Sequence, residues 1–414
     1  MELKLDQWAT TPPVGYPGTV SPPPGKRSAG FTNGEEPPAG YFNHAWDALS
    51  DTQNELANLI TGAGLTRVES DLSQVLKAVQ RLIDRRAEIL ALTQWTEIGS
   101  CPAPVLGFAC TPAGDAVAVC SANPSIRYAQ ATDVWASVTA GSSYAGVFND
   151  VCWSDALGLV VVVGTGGEIQ TAINAAGSYT RRATGGSDLL RCVAGANAVV
   201  AMSTDGAIKS STNGVTWTTT ATLSGGVTMS GLAYSPTLNR FCAVGNAAGT
   251  YPMYVGDQSG ANWIAATTPI PHTVNPPMGV LWSETANCFL AFNVSGAVYR
   301  SVDGMVWVAA CPGLNVSSVD AVVLPQHLVV MNMGAGTATV PPSVMDLLRL
   351  DELNGAPSTR LKLNLRFSPS LSGDAFSRVI RVPVATAPNY KSPFAGRLVG
   401  LCSSGRMRVS GYVG

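Results

Sequence analysis

The chain has 414 residues, room for one large domain and something smaller. Charged residues make up only 13% of it, against about a quarter in an ordinary globular chain, and the formal net charge is -2 with no basic run or basic helix, which argues against a nucleic-acid partner. Mean hydropathy is positive, at +0.19, yet the longest apolar runs, such as residues 159–163, are strand-sized, so no membrane span is expected.

Residues 1–39 carry Thr11-Pro-Pro-Val-Gly-Tyr-Pro-Gly18, Ser21-Pro-Pro-Pro-Gly25 and Glu35-Glu-Pro-Pro-Ala39. Proline at this density forbids helix and central strand and leaves an extended arm. An arm so poor in buriable surface is either disordered or ordered by lying on another protein, with Trp8, Tyr16 and Phe31 as anchors spaced along it. The first residues, Met1-Glu-Leu-Lys-Leu-Asp6, lack the basic and apolar regions of a signal peptide.

Residues 40–93 read as a helical neck. One helix is expected over 43–60, with Trp46, Leu49, Leu56 and Ile60 on one face, and a second over 66–90, opened by the capping box Thr66-Arg-Val-Glu69. In the second helix Val68, Leu72, Val75, Val79 and Leu82 alternate steps of four and three, and Ile89 resumes the series after Arg86. That is the narrow seam of a coiled coil, and three heptads are marginal alone, so self-association is expected, the alternative being a helical hairpin packed on its own propeller.

From residue 94 to 414 one phrase recurs: apolar strand, small turn, second strand, then a tight turn before an aromatic residue. Its clearest copies are Gly206-Ala-Ile-Lys-Ser-Ser-Thr-Asn-Gly-Val-Thr-Trp217 and Gly296-Ala-Val-Tyr-Arg-Ser-Val-Asp-Gly-Met-Val-Trp307. Aromatic markers at Trp95, Trp135, Tyr179, Trp217, Trp263 and Trp307 fall 38 to 46 residues apart. A period of that size, with unequal halves of one blade at the two ends, predicts a mainly β chain folded as a β-propeller of seven blades. The strand at Gln94–Gly99 completes the C-terminal blade. Six blades follow if residues 346–375 form an excursion.

The nine cysteines (Cys101, Cys110, Cys120, Cys152, Cys192, Cys242, Cys288, Cys311 and Cys402) lack metal-ligand spacing and read as reduced, buried thiols in strands of a protein folded in a reducing compartment. His44, His272 and His327 are far apart, so neither metal nor cofactor is expected. Arg127, Arg181, Arg182, Arg240 and Arg300 fall on second strands, third strands or outer edges, and the arginines are not expected to converge on the axis. Three connections exceed the minimum: residues 245–253, 269–277 and 334–342. They hold Tyr251, His272, Asn275, Thr337 and Thr339, groups able to stack on or hydrogen-bond a sugar or protein surface.

Two resemblances rest on these motifs. Ser211-Thr-Asn-Gly-Val-Thr-Trp217 and Ser301-Val-Asp-Gly-Met-Val-Trp307 resemble the Asp-box turns of sialidase-like propellers, one residue shorter than the usual enzyme motif, and Ile380-Arg-Val-Pro383 resembles an arginine segment of the same enzymes in a different chain position. Gly34-Glu-Glu-Pro-Pro-Ala-Gly-Tyr-Phe-Asn43 with Trp46, then Asn54-Glu-Leu-Ala-Asn-Leu-Ile60 and Gly64-Leu-Thr66, resembles the attachment segment of tailed-bacteriophage tail fibres and receptor-binding proteins. The second resemblance implies a homotrimer assembled in the host cytoplasm and carried in the virion. Its arm would be fixed to baseplate or tail proteins and its distal domain would bind a host glycan, pilus or protein receptor. A structural baseplate spacer and a glycan-degrading tail enzyme are the alternatives. An Asp-box contributes a turn and no catalytic group, so the expectation is a binder and not an enzyme.

Overall fold

In the computed structural model, the residues described are 55–63, 65, 74–92 and most of 95–412. Within the last stretch the connections at 123–125, 131–133, 139, 142–143, 224–227, 248–250, 272–274, 313–316, 334–342, 351–359, 365–375, 383–393 and 395 lie outside the description. The chain divides into two compact units, Met1–Ile83 and Asp84–Gly414. In the first, helix α1 (residues 55–62) ends at Ala63, and Ile60, Ala63 and Ala78 form a small buried cluster with Leu59, Leu65 and Val75 against it. Helix α2 (Gln74–Leu92) crosses the boundary, and its last turns belong to the second unit.

The second unit is a seven-bladed β-propeller of seven four-stranded antiparallel sheets. Blades 1 to 6 use consecutive strands, at 105–138, 148–183, 189–222, 228–265, 277–311 and 317–364. Blade 6 includes Ser343–Arg349 and Arg360–Asn364 as its third and outer strands, so this stretch is a blade and not an excursion. Blade 7 takes its three inner strands from the C-terminus and its outer strand, Trp95–Ser100, from the other end of the sheet-forming chain. Trp95 lies opposite Ser410 and Ser100 opposite Arg406. Closure is reinforced by side chains: the Trp95 indole donates to the Leu92 carbonyl at 2.7 Å and its ring stacks at 4.7 Å on Phe376.

Each blade is too thin to bury its own faces, so apolar clusters form between neighbouring sheets. One joins Phe289, Val280 and Trp307 of blade 5 to Cys242, Val244 and Met253 of blade 4; another joins blades 6 and 7 and accepts Ala91 and Leu92 of α2. The second strands, buried over most of their length, read as continuous apolar runs such as Leu159–Gly164 because both faces meet another blade.

The two Asp-box turns join third to outer strands and are built as the sequence implies. Ser301 Oγ accepts from Gly304 N at 2.9 Å, Asp303 Oδ1 from Met305 N and Val306 N at 2.8 and 3.1 Å, and the Trp307 indole donates to the Gly304 carbonyl at 2.9 Å. Ser211, Asn213, Gly214 and Trp217 repeat the pattern, with Asn213 Oδ1 accepting from Val215 N and Thr216 N. Gly214 and Gly304 have φ of 69° and 81°, a region that strongly favours glycine. Because an amide oxygen does this work at Asn213, Asp303→Asn should leave thermal stability nearly unchanged, while Asp303→Ala should cost about 1 kcal/mol in a denaturant titration.

Candidate functional site

All seven inner strands carry a β-bulge at the same place. The register slips between Val105 and Gly107, Phe148 and Asp150, Leu189 and Arg191, Met229 and Gly231, Pro277 and Gly279, Ser318 and Asp320, and Phe376 and Arg378. A bulge adds one residue and sharpens the local twist. The residue after it therefore occupies one equivalent position in every blade: Gly107, Asp150, Arg191, Gly231, Gly279, Asp320 and Arg378.

Where that position is glycine, neighbouring strands approach closely. A Cβ on Gly231 would stand 2.7 Å from Gly279 Cα, and one on Gly107 would stand 2.9 Å from Asp150 Cα. The other four positions hold two Asp–Arg couples, on blades 2 and 3 and on blades 6 and 7. Arg378 reaches from blade 7 past blade 1, donating to the Leu106 carbonyl at 2.8 Å, and ends on Asp150 of blade 2 at 2.6 Å. Each aspartate also braces the following blade: Asp150 Oδ2 accepts from Cys192 N at 3.2 Å, and Asp320 Oδ2 from Val379 N at 2.7 Å.

These groups feel one another across the ring. The Arg378 guanidinium, followed by burial, lowers the pKa of Arg191. Burial raises that of Asp320 against the opposing pull of Arg378. Burial also works against the charge on Arg378, but its pairing with Asp150 outweighs that and leaves its pKa raised. The arginines do converge on the axis, contrary to the expectation from the sequence, because Arg191 and Arg378 sit on inner strands. Arg127, Arg181, Arg182, Arg240 and Arg300 lie off it, on second, third or outer strands; Arg181, for example, pairs with Glu168 at 2.7 Å.

A cleft of about 350 Å³ opens beside this cluster along the inner strands of blades 5, 6 and 7. Asp320 and Arg378 line one part of it, and Trp282, Glu284, Thr285 and Arg381 another. The Trp282 indole is tied to Glu284 Oε1 at 2.8 Å, and Glu284 Oε2 accepts from the Thr237 hydroxyl at 3.0 Å. Arg381, singled out by its sequence neighbourhood, thus lines a cleft. The same cleft holds acids and bases whose geometry is that of a braced wall.

The longer connections lie on the opposite side of the blades from the turns between first and second strands. Tyr251 is not a surface platform: it is 5% exposed and packs in the cluster with Trp307, Ile270 and Tyr299, because the end of its connection folds back into the blade 4–5 seam. Asn275 is exposed, and its carbonyl accepts from Asn293 Nδ2 at 3.2 Å. His272, Thr337 and Thr339 lie outside the described residues, as do Trp8, Tyr16, Phe31, Val68 and Leu72. His327, far from the others in sequence, is 4% exposed and bonds Glu88 Oε2 through Nδ1 at 2.8 Å.

No protein-family description matches the chain, and no curated protein does. Solved structures do. Virginiamycin B lyase from Staphylococcus aureus is 10% identical with a TM-score of 0.58, the match spanning 77% of this chain and 98% of that one. The likeness is one of fold. YCF48 bound to D1 peptide gives 14% identity and a TM-score of 0.54 over 77% and 96% of the two chains, and the WD40 propeller domain of Doa1 gives 12% and 0.52 over 77% and 97%.

Removing one partner of the axial cluster should be costly. Arg378→Met leaves Asp150, 2% exposed, without its cation and is expected to destabilise the propeller by about 3–5 kcal/mol in urea unfolding. Asp320 has a raised pKa when folded, so the folded protein holds its proton to higher pH than the unfolded chain does. Its contribution is therefore a loss of stability as pH rises from the ordinary carboxylate range through the raised value. Asp320→Asn, whose amide oxygen can still accept from Val379 N, should remove that slope from a plot of unfolding free energy against pH.

Proposed function

We propose that this chain is a virion tail protein that anchors through its N-terminal arm, self-associates through its neck and binds a host-surface receptor with its propeller, without hydrolysing it. One observation carries the reading: Glu88, in the part of α2 that belongs to the propeller unit, is held at the face of the blades opposite the longer connections. Glu88 of α2 accepts from Gln326 N at 2.9 Å and holds His327, both at the turn between the first two strands of blade 6. Four antiparallel strands place that turn on one face and the connections that join Arg240–Asn246 to Met253–Gly256 and Trp263–Ala265 to Pro277–Ser283 on the other. The longer connections are thus on the face that Glu88 does not occupy, where a receptor site fits the reading. The attachment-segment resemblance in residues 34–66 supports the anchoring role.

Self-association is supported by α2 itself. Leu76, Ile83 and Leu90 recur at steps of seven and are 71%, 56% and 52% exposed, with Val79 and Leu82 beside them at 39% and 38%. Five large apolar side chains open to water on one helix call for a partner, and further copies of the same chain supply a matching heptad face. The exposed face is shifted from the seam expected through Val75, Val79 and Leu82, and Ile89 packs on the chain's own propeller core. The number three comes from the tail-fibre resemblance. Several weak receptor sites held together in this way raise avidity by about 10² to 10⁴.

The full chain should sediment as an oligomer at micromolar concentration, and the double variant Leu76→Asp and Ile83→Asp should sediment as a monomer with an unchanged propeller circular-dichroism spectrum. The labelled oligomer is expected to adsorb to host cells and the monomer to adsorb at least tenfold less. Absence of adsorption by the oligomer would favour the spacer, and release of sugar abolished by Arg381→Ala would favour the enzyme.

A further inference from the structure

The cleft along the inner strands of blades 5, 6 and 7 is walled by strand edges as well as side chains. Ser317–Val323 and Phe376–Arg381 each pair with one neighbouring strand only, so alternate main-chain amides and carbonyls of both turn toward the axis without a ladder partner. Arg378, set inside the ring of inner strands, still keeps 22% of its side chain open. Its Nη1 is spent on the Leu106 carbonyl and on Asp150, while Nε and Nη2 donate to nothing among the described residues. Asp320, on the same wall, accepts from Val379 N at 2.7 Å, and the Ala321 amide also favours its charge. A carboxylate offers about four acceptor positions, so Asp320 has capacity left. This end of the cleft therefore presents a donor and an acceptor together.

The other end lies toward the turns between first and second strands. There Trp282 is half-buried, its indole N–H tied to Glu284 and its ring set edge-on to Phe289 at 4.9 Å, so its position is fixed. Glu284 and Thr285 are exposed and mark the mouth. Acids and bases balance in the wall, Asp320 and Glu284 against Arg378 and Arg381. A ligand with net charge would meet as much repulsion as attraction, so this wall favours a neutral one.

We propose that this cleft binds a neutral sugar of one or two hexose units, with vicinal hydroxyls at Asp320 and Arg378 and an apolar ring face on Trp282. A hydroxyl both donates and accepts, so two neighbouring ones satisfy a carboxylate and a guanidinium at once. The C–H face of a pyranose and the face of an indole are matched apolar surfaces. At about 350 Å³ the cleft stands at the small end of ligand sites, which run from about 300 to 1,000 Å³, and that excludes a long glycan lying along it. Asp320, Arg378 and Trp282 are each held by a further bond, so little ordering is required when the sugar arrives. The site lies on the inner strands, away from the longer connections, and does not rest on the tail-protein reading.

The test uses the full chain in isothermal titration and saturation-transfer NMR with methyl glucoside, methyl galactoside, methyl mannoside, maltose and lactose, and with glucuronic acid as the charged counterpart of glucose. At least one neutral sugar should saturate a single site per chain and shift an indole resonance that is missing from Trp282→Leu. Asp320→Asn keeps an acceptor for Val379 N but puts an amide N–H where the sugar hydroxyl donates. It should weaken that binding at least about tenfold with an unchanged circular-dichroism spectrum, and a deoxy analogue lacking one of the two hydroxyls should lose as much on the unaltered chain. Should Trp282→Leu fail to fold, Asp320→Asn and the deoxy analogue decide. Absence of saturable binding by every neutral sugar would overturn the proposal. Binding that Asp320→Asn leaves intact would overturn it too, as would glucuronic acid binding more tightly than methyl glucoside.

Discussion

Everything in the propeller depends on one pairing, that of Trp95–Ser100 with the C-terminal strand Arg406–Tyr412. A row of seven thin sheets buries its faces only if the first and last also meet, and an open row would leave two apolar blade faces in water. The closing strand is short and largely exposed on its outer edge, so its five-residue ladder is a modest source of energy. Its side chains supply more. Trp95 packs on Phe376 and caps the Leu92 carbonyl, and Trp135 of blade 1 donates to the Ile98 carbonyl at 2.8 Å. The strand is thereby fixed both to its own blade and to the next one.

The centre of the ring imposes a second constraint. Inner strands converge more tightly than outer ones, and the repeated bulge lets each turn sharply while exposing one residue toward its neighbours. Glycine fits where backbones touch. Where charges stand instead, each aspartate spends one oxygen on the next blade's N–H, and Arg378 reaches past blade 1 to neutralise Asp150. The ring is held at its rim by tryptophans and at its hub by ions, and the apolar seams fill the space between.

The blade count, the closure and the Asp-box turns were legible because they are written in local, repeated patterns: strand, turn, aromatic. The axial cluster was harder to see. Asp150, Arg191, Asp320 and Arg378 lie in four different blades, and only alignment of all seven inner strands on their bulges brings them into one column. Arg191 and Arg378 sit on inner strands far apart in sequence, and no local motif marks either of them. Tyr251 misled for a related reason, since loop length predicts exposure for the connection but not for the residue at its end, which turns back into the seam. In α2 the spacing of apolar residues was visible, but the residues of its last turns that are buried in the propeller unit include the charged Arg85 and Glu88. Val79 and Leu82 of the sequence-based seam are exposed, and Leu76, Ile83 and Leu90 extend that apolar face to one side of it.

The contact between Glu88 and blade 6 has a mechanical meaning. Any tension on the N-terminal side of the chain travels down α2 toward Trp95, the end of the strand that closes the ring, and a strand pulled from its end peels one hydrogen bond at a time. Glu88 grips the Gln326 amide and His327 first, and Leu92 is sunk in the core between blades 6 and 7. The load is thus passed into two complete blades before it reaches the seam, so the clasp of the ring is shielded by the very helix that would otherwise tear it open.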